Sequence, residues 1–113
     1  MAYDNELAER IRERLQGERD LTEKPMFGGL AFLLAGSMAV AASSSGGLLA
    51  RVDPSQADDL CAADGVAPMV MRGRPMRGWL QVAPDVLADN DALDAWVARS
   101  ATFVKETINV PEG

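Results

Sequence analysis

The segment RGRPMRGW, Arg72 to Trp79, brings Arg72, Arg74 and Arg77 together without an acid. The chain around it holds 17 acids against 11 bases, a net charge of -6, so the remainder stands at -9. Clustered guanidiniums repel one another and favour a bound anion, and each offers a planar fork that fits carboxylate or phosphate. The letters RGRP match the core of an AT-hook, which lays arginines into the DNA minor groove. A hook also needs a proline before its first arginine and flexible basic flanks; here Met71 precedes Arg72, and Trp79-Leu80 follow as strand. The segment reads as a strand-to-strand turn, with Arg72 and Arg77 flanking it, Arg74 near its tip and Pro75 fixing a turn position. Three phosphate contacts give a salt slope of about -0.9 each, and the surrounding negative charge opposes even that. The expectation is no useful duplex DNA affinity at physiological salt, and at most a modest site for an anion or acidic partner.

Other groups offer less. Gly28-Gly29 in PMFGGLAF would let a backbone approach a phosphate, but the lysine and hydroxyl of a P-loop are missing and the pair leads into a strand. A bulge or sharp bend at the start of the first strand pair accounts for it better. The chain has no histidine, which removes imidazole-dependent catalysis and His-containing metal sites. Cys61, next to Leu60 on the inner face of a helix, reads as a small buried hydrophobe. Asp89, Asp91 and Asp94 lack the glycine and distal glutamate of a calcium loop, and suit a helix N-terminus instead. Trp79 and Trp96 read as core anchors. Met26, Met38, Met69, Met71 and Met76 gather on or near strands, where gap-filling in a small core is expected before an adaptable binding groove. No catalytic residue, metal or cofactor is expected.

The elements that position these groups follow from period and punctuation. Asp4 can cap a first helix whose Leu7, Ile11 and Leu15 share one face, while Glu6, Arg10 and Arg14 form a solvated ladder beside it; Gly17 ends it. A polar link leads to three short antiparallel strands in a meander: Leu30, Phe32 and Leu34; Met38, Val40 and Ala42; then Leu49 with Arg51. Gly36-Ser37 and Ser43 to Gly47 punctuate them. A second helix opens with Asp53 as cap, Pro54 at its first position and Gln56 placed for a capping box. It turns Ala57, Leu60 and Cys61 inward and stops at Gly65. APMVM and GWLQVA are two more strands. DNDALDAWVARSATFVKETI is a long helix burying Leu93, Trp96, Val97, Ala101 and Val104. The predicted fold is α+β, a two-layer sandwich of order α-βββ-α-ββ-α. Its five-stranded antiparallel sheet carries helices on one face and leaves the other partly open.

At 113 residues this is expected to be a single domain, 1–113. A composition 48% hydrophobic and 25% charged is that of a soluble globular protein with one ordinary core. With one cysteine, no apolar signal core and no apolar run long enough to span a bilayer, a cytoplasmic location is expected.

EKPMFGGLAF, GSMAV, LLARVD and GRPMRGW, in this order and spacing, resemble the N-terminal domain of the TfoX/Sxy proteins, regulators of natural competence. The resemblance runs from the first helix to the last and is most specific at Met26-Phe27-Gly28-Gly29 and from Gly73 to Trp79. It implies a two-layer α/β domain similar to secretion chaperones, and regulation of DNA-uptake genes in two-domain members, whose second, helix-hairpin-helix domain has no counterpart before Gly113. It supplies no catalytic residues. Two functions are expected to compete: a regulatory or adaptor domain acting on an unknown protein partner, and a weak nucleic-acid or anion binder using Arg72, Arg74 and Arg77. A weak homodimer through a sheet edge or the open face is expected as well.

Overall fold

The computed structural model describes residues 5–18, 20–26, 29–43, 46–71 and 73–108. The elements run α1 (Asn5–Arg14), β1 (Leu21–Met26), β2 (Gly29–Leu34), β3 (Ser37–Ala42), β4 (Leu48–Arg51), α2 (Pro54–Leu60), β5 (Val66–Met71), β6 (Arg74–Val82), α3 (Pro84–Leu87) and α4 (Asn90–Ile108). Among the described residues six strands form one antiparallel sheet in the order β1-β2-β3-β4-β6-β5. The α+β sandwich is therefore the fold, with one strand more than the five expected.

The extra strand is β1. Its LTEKPM reads as a polar link because it lies at the sheet edge, with Thr22 to Pro25 exposed, so burial imposes no alternation on it. The meander itself follows the period-2 pattern. Leu30, Phe32, Leu34, Val40, Ala42, Leu48, Ala50, Leu80 and Val82 all point to the helical layer. Full burial of Phe32 alone contributes roughly 1.5–3 kcal/mol. The helical layer answers with Leu7, Ile11 and Leu15 from the first helix and its end, and Leu93, Trp96, Val97, Ala101 and Val104 from α4, all buried at helical spacing. The long helix crosses β3 and β4, while α2 lies over β6 and turns Ala57, Leu60 and Cys61 toward the core. Ser100 is a buried polar side chain of α4, and its hydroxyl has no partner among the described residues.

Caps and clamps fix the helices. Asp53 caps α2 by accepting from the Ser55 N–H at 2.9 Å and the Ser55 hydroxyl at 2.8 Å. The arginines of α1 are not merely solvated. Arg10 donates to the Leu87 carbonyl at 2.7 Å and to Asn90 Oδ1 at 2.8 Å, and Arg14 pairs with Asp94. Lys105 reaches Glu18 at 3.1 Å, so the first and last helices are tied at several points. Asp4 lies outside the described residues.

Candidate functional site

The arginine segment is tighter than expected. Met71 pairs with Arg74, so only Arg72 and Gly73 separate β5 from β6, and Arg74 and Arg77 belong to the strand. Gly73 and Arg74 are exposed, and Arg74 makes no ion pair among the described residues. Arg72 and the side chain of Arg77 lie outside the described residues. Beyond Met76 the pairing with β5 jumps to Leu80, and β6 turns toward β4, where Trp79 faces Arg51. Gly78 makes that detour possible. Its φ is +82°, its carbonyl accepts from Val52 N–H at 2.8 Å, and an added Cβ would press on the Val52 carbonyl and on Pro54. Gly29 has a comparable reason: a Cβ there would sit 2.2 Å from the Ala42 carbonyl. Gly29 thus answers to a close backbone approach at the head of β2; Phe27 and Gly28 lie outside the described residues.

Among the described residues, no helix packs on the second face of the sheet. Lys24, Ala31, Ala41, Leu49, Gln81 and Ala67 stand opposite one another in a single row across all six strands. Ala31, Ala41 and Leu49 form a separate apolar cluster in this face, with Leu33, Met38 and Met69 packed against it half-exposed. Met38 and Met69 were expected to fill gaps in the core; they belong to this open face instead. Val70, 54% exposed, lies on the neighbouring edge strand. A cavity of about 380 Å³ opens beside Leu49, Ala67 and Gln81 at the end of β4 and β6.

A third feature arises where α2 meets α4. The Arg51 guanidinium lies 5.7 Å from the centroids of both Trp79 and Phe103, and Arg99 lies 4.7 Å from that of Trp96. Phe103 and Arg99 also line a cleft of about 420 Å³, with Asp53, Gln56, Thr102 and Glu106. Neither arginine makes a hydrogen bond or ion pair among the described residues. Trp96 is a core anchor as expected, whereas Trp79 is only half-buried, and each holds a cation on its ring that a core role does not call for. The i, i+3 spacing of Trp96 and Arg99, continued at Phe103, was the available signal.

The remaining candidates resolve into structure. Cys61 is half-buried against the core, short of the full burial expected. Desolvation, and then the charge of Asp58, push its thiol up from the ordinary value. Asp89 caps the last helix by accepting from the Asp91 N–H at 2.9 Å, and Asp94 holds Arg14. Among the described residues no group of three or more His, Cys, Asp or Glu gathers to hold a metal ion, and no helix is long and apolar enough to cross a membrane.

Comparison with curated proteins and with solved structures gives no match to the chain. The model of one family, the TfoX N-terminal domain, matches residues 13–104, from the end of α1 to the last turns of α4, and takes in the whole sheet with both glycine-dependent segments. The chain belongs to the TfoX N-terminal domain family.

Proposed function

We propose that this is a non-enzymatic regulatory or adaptor domain of the cytoplasm that works by protein contact, in the kind of competence or transcriptional regulation its family name suggests. The observation that carries the reading is the sheet face on which no helix packs among the described residues, where half-exposed Leu33, Met38 and Met69 pack against a small apolar centre. Flexible thioethers repack against different partner surfaces, which suits a contact that must adapt. Acidic net charge keeps such a face from unspecific contact with nucleic acid or anionic lipid. Arg74, exposed and without an ion pair among the described residues, supports a second reading, a weak anion site on the β5–β6 hairpin.

The test is capture from the native cell with the wild-type chain and with the Met38→Glu, Met69→Glu double variant. Both positions are half-exposed, so the variant is expected to fold and to keep its circular dichroism spectrum. A partner retained by the wild type and lost by the variant supports the reading. An identical set of captured proteins on both sinks it.

A further inference from the structure

We propose that the second face of the sheet receives an amphipathic helix of a partner protein. The apolar stripe of that helix lies on Leu33, Met38 and Met69, and its flanking carboxylates meet Lys24 and Arg74. The assignment rests on the reading of this face as a contact surface and names what docks there. Charge is divided unevenly between the two sides of the sheet. The chain holds 17 acids, yet its six strands hold one between them, Glu23. Glu23 stands opposite Phe32 on the helical side, where Arg12 of α1 binds it. Among the described residues, the charged side chains that register puts on the second face are Lys24, Arg51 and Arg74. All three are basic, in a chain of net charge -6. Arg51 is stacked on Trp79 and Phe103. Lys24 and Arg74 are exposed and make no ion pair among the described residues.

An apolar centre with basic margins is complementary to an apolar stripe with acidic flanks. The form of the partner follows from the sheet. Pro25 and Pro68 each remove an N–H from a free edge, which opposes addition of a strand. The outermost strands β1 and β5 are five strand spacings apart, about 24 Å, the length of a helix of about 16 residues. The cavity of about 380 Å³ beside Leu49, Ala67 and Gln81 has room for one bulky side chain of that helix. Other occupants fit less well. Two phosphate contacts contribute a salt slope of only about -0.9 each, too little to hold a nucleic acid against the net negative charge. An anionic membrane asks for a cluster of roughly four to eight cations. A second copy laid face to face offers Lys24 and Arg74 only bases.

The experiment is a fluorescence anisotropy titration of the intact chain, at low salt, with a labelled helical peptide of about 16 residues. It carries leucines at helical spacing and glutamates on either side of them. Comparison probes are the same peptide with lysine for every glutamate, a single-stranded oligonucleotide and vesicles of anionic phospholipid. The glutamate peptide is expected to bind. The Lys24→Glu, Arg74→Glu variant should bind it at least about tenfold more weakly, with an unchanged melting curve. That variant should also gain affinity for the lysine peptide, because its face then carries acids where it carried bases. Met38→Glu, Met69→Glu should weaken the glutamate peptide by about tenfold or more. The proposal is overturned by no binding of the glutamate peptide, by binding indifferent to both variants, or by tighter binding of the oligonucleotide or the vesicles. Self-association through this face that excludes the peptide overturns it too. Should the peptide fail while capture from the cell still depends on Met38 and Met69, this inference falls and the contact surface stands. An identical captured set removes the contact surface and this inference with it.

Discussion

Glu23 sits where the first helix meets the edge strand, and the Arg12 fork grips it at 2.6 and 2.7 Å. That hydrogen bonding holds its carboxyl below the ordinary carboxylate value, against a small opposing effect of burial. A carboxylate depressed in the folded state stabilises at pH values above its unfolded pKa, and the contribution disappears as pH falls through the folded one. Glu23→Gln should therefore lower stability at neutral pH, by no more than about 1 kcal/mol because both side chains are partly exposed and screened. Wild type and variant should converge in acid. Urea melts of the two proteins at several pH values check this, and a gap that widens in acid counts against it. Individual residues were the least legible scale. Leu7, Ile11 and Val104 announce their burial by spacing, whereas Arg51 meets Trp79 and Phe103 only because a strand pair and a distant helix converge. Nothing local in LLARVD records that.

Among the elements, the β2–β3 hairpin carries a visible defect. Leu34 pairs with Ser37 across Ala35 and Gly36, and both turn residues have positive φ, +52° and +85°. Such two-residue turns suit asparagine followed by glycine, because their twist matches that of the strands. Alanine in the left-handed region costs about 1–2 kcal/mol. Ala35→Asn should recover roughly 0.5–1 kcal/mol of this, seen as a higher midpoint in thermal or urea unfolding. An unchanged or lower midpoint would mean that the strain is relieved some other way. The sequence identified a turn here but shifted it by one residue, to Gly36-Ser37, because alanine is a poor turn signal. Length explains the other discrepancies between pattern and structure. The four residues of α3 are too few to display a helical period, and β1 is too exposed to display a strand period. The meander and α4 have a buried side and α2 a half-buried one, so their patterns survived in the letters.

At the scale of the whole molecule the two free edges are β1 and β5, and each contains a proline, Pro25 and Pro68. The uncharged strand β3, which holds Met38 to Ala42, is interior. A proline within a strand is tolerated where its missing N–H faces away from the paired neighbour, so each edge lacks a donor that a second chain would need. The proposed homodimer is kept weak by this arrangement. Pro68→Val should raise self-association several-fold in sedimentation equilibrium at high concentration, while a variant that associates no more than the wild type would mean that the edges do not mediate it. The overall α+β layering was readable because one-sided burial repeats in every long element. That the second face carries Met38 was not, since the register shift between Phe32 and Leu33 leaves Ala39 as an extra residue in β3 and turns Met38 away from the side of Val40 and Ala42. The order in which a ribosome delivers these parts now matters. The first helix precedes the sheet in the chain, but its apolar face rests beside α4, which also covers the middle strands. Until α4 is made, the buried side of β2, β3 and β4 lacks its main cover, and hydrophobic surface stays open. Native packing of the sheet therefore waits on α4, and the uncovered strands favour chaperoning until that helix arrives.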